Sequence, residues 1–317
     1  MMRCYGLDIL RGVAAFLIVG CHLQLLNYTS NAHGLLRFCD MNVGVFAAVA
    51  GWLMVGGRFA DRTQSTSWKQ YCKRRLVRFL PSYLFWTIIF LIASAVFQLV
   101  VGGAVKPKYG EGRFWWNVVF WGGSATQLWF IPALLYTQMI YRAIASLMRS
   151  WMWLCLGVAL VIVSQCWDSW YARYPLRVAS FVALGYGLRI LSMSIAAKRT
   201  MLPIGMIVCG LILHCILGNI LPCFVKDFIA VTLLLPGFAL LPVKSVPWWT
   251  KIPSDTSLGV YMTHPLFTVL CSTVVKKILP APYGVTPTLS VWLLSYIASL
   301  AVTVVMLRNV MLRRLVQ

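Results

Sequence analysis

Residues 7 to 23 read Leu-Asp-Ile-Leu-Arg-Gly-Val-Ala-Ala-Phe-Leu-Ile-Val-Gly-Cys-His-Leu. The run is apolar enough for a membrane helix, yet it carries Asp8, Arg11 and His22. Charges inside a bilayer are costly, so such residues are rare there and usually functional. Arg11 and His22 lie eleven positions apart. At about 100° per residue that separation returns to within roughly 20° of the same face, about 16 Å along the axis. Asp8, three residues before Arg11, is placed to pair with it. One side of this helix therefore carries a held cation near one end and a titratable imidazole near the other. The same residues also fit a helix with an interfacial Arg and a buried, hydrogen-bonded His. A His in an apolar run does not decide between the two by itself.

The rest of the chain supplies the context. Of 317 residues, 60% are hydrophobic and only 11% charged, against about 25% charged in soluble domains. This composition predicts an all-α, polytopic integral membrane protein. No long polar block is present, so residues 1–317 read as one transmembrane domain. The net charge of +21 would suggest nucleic acid in a soluble protein. Here the basic residues lie between apolar runs, where they set topology and meet lipid headgroups, so no nucleic-acid partner is expected. The ten Cys include no Cys-x-x-Cys pair and no Cys/His cluster with zinc spacing; no metal is expected. Residues 1–32 have some features of a signal peptide, but Asp8 is unusual in such a segment, and the run reads instead as the first span.

Apolar runs place about ten spans at 7–26, 41–57, 79–101, 128–147, 151–166, 175–193, 201–218, 224–243, 256–274 and 288–307. The second is short and rich in small residues, as close helix packing requires. Residues 114–121 are aromatic and too short to span, which suits an interfacial or re-entrant segment. Arg58, Arg62, Lys69, Lys73, Arg74, Arg75 and Arg78 precede the third span and mark that side as cytoplasmic. With the N-terminus inside, the larger share of the cations falls on the cytoplasmic side, so both termini are expected there. Arg11 then lies near the cytoplasm and His22 in the outer half of the membrane. His214, alone in an apolar run, reads as structural.

Several local motifs stand out. Asp8-x-x-Arg11-Gly-x-Ala-Ala is followed by His22. Arg74-Arg75-Leu-Val-Arg78 runs into Pro81-Ser-Tyr83. Gln127-Leu-Trp129-Phe-Ile-Pro-Ala-Leu opens the fourth span. Ser257-Leu-Gly-Val-Tyr261-Met-Thr-His264-Pro265 opens the ninth. In this order and spacing they resemble acyltransferase family 3, the integral-membrane O-acyltransferases of sugars and related acceptors. The form they resemble is the stand-alone one, without an attached SGNH hydrolase domain. Two positions depart from the family's pattern. Phe46-Ala47 and Ala50-Gly51 replace its Phe-Phe and Ser-Gly, and Gln127 replaces a His or Tyr. Gln cannot act as an acid or base, so that position is left to orient substrate at most.

The resemblance implies transfer of an acyl group, acetyl by preference, from cytoplasmic acyl-CoA to a hydroxyl of a cell-surface or exported carbohydrate or glycolipid. It implies a bacterial inner membrane as the location. Acetyl-CoA or another acyl-CoA is a co-substrate, and no bound cofactor is expected. A sugar hydroxyl is a weak nucleophile and needs a base; His22 suits that role. Arg11, held by Asp8, either fixes the donor or stabilises developing charge. Arg75 and Arg78, one turn apart, suit the phosphates of coenzyme A, since guanidinium forks bind phosphate bidentately; they also suit a plain cytoplasmic anchor. Trp129 is either an interfacial aromatic or a contact to acyl chain or sugar. Tyr261 and His264 share a helical face and are expected to line the site, with Pro265 freeing a backbone carbonyl. The competing class is a multi-pass transporter or flippase for a polar or anionic solute, which buried charges also suit.

Overall fold

The computed structural model describes residues 4–24, 38–56, 67–101, 126–167, 169–193, 201–218, 220–245, 248–279 and 284–316. The segment 114–121 lies outside them, as do most of the loop 27–40 and the side chain of Gln127. Among the described residues every regular element is helical. The main helices are α1 (Tyr5–Gln24), α2 (Asn42–Gly56), α3 (Trp68–Val101), α4 (Phe130–Ile144), α5 (Ser150–Gln165), α6 (Trp170–Met193), α7 (Met201–Leu217), α8 (Cys223–Leu240), α9 (Trp248–Asp255), α10 (Ser257–Ile278) and α11 (Val285–Arg308). A last short helix, α12 (Val310–Arg313), and three 3-10 turns complete the described chain.

Each of the ten apolar runs falls on one of these helices. Five of them are long and apolar enough to cross a membrane: α1, α3, α8, α10 and α11. Helices α2, α5 and α7 are apolar but shorter. The ten-span count of the sequence thus rests on helices that do not all meet the length a crossing needs. Helix α3 also begins at Trp68, well before the expected start at residue 79, so Lys69, Lys73, Arg74, Arg75 and Arg78 are helical. Lys and Arg are good helix formers, and the apolar period alone does not reveal their turns. Helix α9 was not expected; it is too short to register as an apolar run.

Helix α1 is the axis of the molecule. It packs against α2, α8, α9, α10 and α11. Its apolar side chains Ala15, Ile18, Val19 and Leu23 are buried completely. Helix α8 runs antiparallel to α1: Cys4 Sγ donates to the Ala239 carbonyl at 3.2 Å, and Gly6 lies against the carbonyl of Phe238. Helix α10 runs parallel to α1, as its contacts below show. Helix α11 returns alongside α10, with the Thr263 hydroxyl 3.4 Å from the Ser299 carbonyl, and Trp292 Nε1 donates to the Phe16 carbonyl of α1 at 2.9 Å.

The second close seam joins α2 and α6. A side chain at Gly185 would strike the carbonyl of Ala48, and one at Gly51 that of Val182. Only glycine lets these two backbones touch, which explains the small-residue composition of α2. At one end of the bundle the chain after α11 folds against α3: Ser82 Oγ and Trp86 Nε1 donate to the Leu315 carbonyl at 2.7 and 3.2 Å. The N-terminal end of α1, the N-terminal end of α10 and the C-terminal tail therefore share one face with the basic start of α3.

Candidate active site

The site is a ladder of two rungs between α1 and α10. At the lower rung Arg11 Nη2 donates to Ser257 Oγ at 2.9 Å, and Arg11 Nη1 lies 3.8 Å from Asp8 Oδ1. At the upper rung the His22 and His264 rings lie 4.8 Å apart with planes inclined by 34°. Both rungs ascend in the same sequence direction, so the two helices are parallel. The rung spacing is eleven residues on α1 and seven on α10. At 1.5 Å per residue these differ by about 6 Å, a gap that the long Arg11 side chain spans.

His264 is wholly buried. Its Nδ1 lies 3.0 Å from the Val260 carbonyl. A carbonyl only accepts, so Nδ1 carries the proton and Nε2 presents a lone pair. That Nε2 and the Nδ1 of His22 are both buried without a hydrogen-bond partner among the described residues. Buried ring nitrogens are normally paired.

Aromatic rings wall this pair. The Tyr261 ring is 6.0 Å from His264, 6.4 Å from Phe46 and 5.5 Å from Phe130. Trp129 meets Phe130 edge-on at 6.0 Å and Tyr174 at 4.9 Å. Trp129 thus stands in the wall rather than beside the histidines. Toward the other face, Arg75 rests over the Tyr71 ring at 5.1 Å and Arg78 over Phe79 at 5.6 Å. Arg78 lies within electrostatic reach of both Arg75 and Arg11. The structure therefore gathers Arg11, Arg75 and Arg78 at one end, and His22, His264 and Tyr261 above them. No described group of three or more His, Cys, Asp or Glu side chains is placed to hold a metal ion.

Sequence reasoning missed an ionic network at the corner of α6, α7 and α8. Arg177 Nη2 donates to Asp227 Oδ2 at 2.5 Å, and His214 Nδ1 lies 3.4 Å from Asp227 Oδ1. All three are buried. His214, alone in its apolar run, meets Asp227 from a neighbouring helix. The available signal was Asp227 itself, one of only seven acids in the chain and set inside an apolar run.

The described residues form an all-helical protein with membrane-length helices, in which the buried His264 faces the half-buried His22 above an arginine cluster. A family model described as an acyltransferase domain matches residues 5–308, nearly the whole chain. The chain belongs to acyltransferase family 3 and is an integral membrane acyltransferase. Neither the curated proteins nor the solved structures contained a match.

Proposed function

We propose that this chain transfers an acyl group, acetyl first among them, from acyl-CoA on the cytoplasmic face to a hydroxyl of a cell-surface or exported carbohydrate. The observation that carries the proposal is the parallel ladder of α1 and α10, which sets Arg11 beside Ser257 and His22 against His264. In the reaction, the acceptor oxygen bonds to the acyl carbon while its proton passes to His22. The thioester carbon–sulfur bond breaks, and coenzyme A leaves as a thiolate. His264, held by Val260, keeps the His22 ring in place and lines the acceptor side with Tyr261. Arg75 and Arg78 hold the donor's phosphates. Arg11, fixed by Asp8 and Ser257, lies between the phosphate site and the histidines.

The proposal includes ten spans, which the relative directions of three helices support, with both termini in the cytoplasm of a bacterial inner membrane, which rests on the cation bias and the family's usual setting. Among ten spans α1, α8 and α10 are first, eighth and ninth, so α8 opposes α1 and α10 parallels it. That is the arrangement seen. Were only the five long helices to cross, α8 would be third and α10 fourth, and both directions would be reversed. These directions favour counting some of the shorter helices as crossings.

The test uses membranes containing wild-type or His22→Ala protein, radiolabelled acetyl-CoA and a glycan extract. Label passing into alkali-labile ester is expected with the wild type. A general base is typically worth 10²- to 10⁴-fold, so the His22→Ala signal should fall by about that factor with the protein still in the membrane. Near-normal transfer by His22→Ala would refute the mechanism.

A further inference from the structure

One corner at the His22 end carries groups that the transfer step does not use. It is built from the first turns of α6 and α8 and the 3-10 turn Thr126–Trp129 before α4. Phe224 stands at its centre. The Arg177 guanidinium lies 3.7 Å from the Phe224 ring centroid and that of Arg173 5.0 Å. Tyr174 meets the same ring at 5.9 Å and Trp129 at 4.9 Å. Three aromatic rings and two guanidiniums therefore form one continuous wall. Through Phe130 and Tyr261 this wall continues to His264.

The two arginines differ. Arg177 is committed to the buried Asp227, which also meets His214. Arg173 is half-buried and has no acid of its own among the described residues. Its Nη2 reaches Gln165 Oε1 only at 3.5 Å, the long limit of a hydrogen bond. Its Nε is buried without a hydrogen-bond partner among the described residues. A guanidinium offers five donors in a rigid fork that matches a carboxylate or phosphate. Flanking the same Phe224 ring, the half-buried Tyr174 offers a flat apolar face that suits the C–H face of a sugar ring, with the buried Trp129 packed behind it.

We propose that Arg173 and Tyr174 form a recognition site for an acidic carbohydrate, whose carboxylate or phosphate pairs with Arg173 while its ring lies against Tyr174, which Trp129 backs. This rests on the reading that the acceptor is a carbohydrate and narrows it to an anionic one. Arg177 is a positioning residue: Asp227 holds it, and it presses on Phe224 to shape the wall.

The test is equilibrium binding to the purified full-length protein in neutral detergent at fixed ionic strength. The probe is a fluorescein-labelled tetrasaccharide of alternating glucuronate and N-acetylglucosamine, read by anisotropy. Competitors are the neutral N-acetylglucosamine tetramer and mannose 6-phosphate. The acidic tetrasaccharide or the sugar phosphate should bind at least ten-fold more tightly than the neutral tetramer, and which of the two does so tells carboxylate from phosphate. Arg173→Gln should remove that preference, and Arg173→Lys should restore part of it. The proposal is overturned if neither acidic probe binds better than the neutral one, or if Arg173→Gln binds as the wild type does. Should Arg173→Gln not fold, the wild-type preference and Arg173→Lys decide. Radiolabelled acyl transfer is measured on the same preparations. Transfer without acidic preference sinks this site alone, whereas acidic binding without transfer sinks the enzymatic reading.

Discussion

Two arginine settings in this protein look alike in composition and differ in purpose. At the corner of α6 and α8, Arg177 is buried against a carboxylate with no exposure at all. At the start of α3, Arg75 and Arg78 rest over aromatic rings, and Arg78 is exposed. The first setting satisfies a cation internally; its function is to hold helices together. The second gathers positive charge where Arg11 adds to it, an arrangement that lowers in energy when an anion arrives from outside. With 28 basic residues against 7 acids, most cations have no acid of their own. Where the chain spends an acid is therefore informative, and Asp227 and Asp8 mark the two arginines whose positions matter most.

The largest effect should come from breaking the internal pair. Asp227→Asn leaves Arg177 buried without its counter-charge, a loss of about 3–5 kcal/mol for a buried pair. Thermal unfolding of the purified protein should show a marked fall in midpoint. An unchanged midpoint would mean the two arginine settings are not different after all. The second effect concerns the donor end and should leave stability alone. Arg78→Gln removes a charged hydrogen bond worth about 1.5–3 kcal/mol, which corresponds to a KM for acyl-CoA raised roughly ten- to a hundredfold. Steady-state kinetics on membranes would read it, and an unaltered KM would return Arg78 to the role of a lipid anchor. The smallest effect belongs to Ser257→Ala. Arg11 keeps Asp8, so about 1 kcal/mol is lost. A few-fold drop in transfer at unchanged melting temperature is expected; a total loss would show that Ser257 does more than hold Arg11.

Much of α1 was legible in the sequence because its ionisable groups repeat at helical spacing within one segment. The motif at Ser257 to Pro265 was legible for the same reason. Their meeting was not, since the parallel packing of α1 and α10 depends on contacts between residues more than two hundred positions apart. The network of Arg177, His214 and Asp227 was hidden more thoroughly. Each residue belongs to a different helix, only Asp227 stands out in its own segment, and packing alone makes the three a unit. The start of α3 lies eleven residues before the expected start of the third span because hydropathy reports the part of a helix that lies in apolar surroundings, while the backbone helix extends beyond it. The number of crossings is the feature that helix length leaves most open.

The central claim is that donor and acceptor meet from opposite faces, with Arg78 at one and His22 toward the other. Sealed membrane vesicles of one known orientation test it directly. Radiolabelled acetyl-CoA is supplied only on the face that carries Arg78, and the glycan is enclosed on the opposite face. The account predicts alkali-labile label on the enclosed glycan, lost in His22→Ala. Label that forms only when acetyl-CoA and glycan share one side, or that persists in His22→Ala, would contradict it.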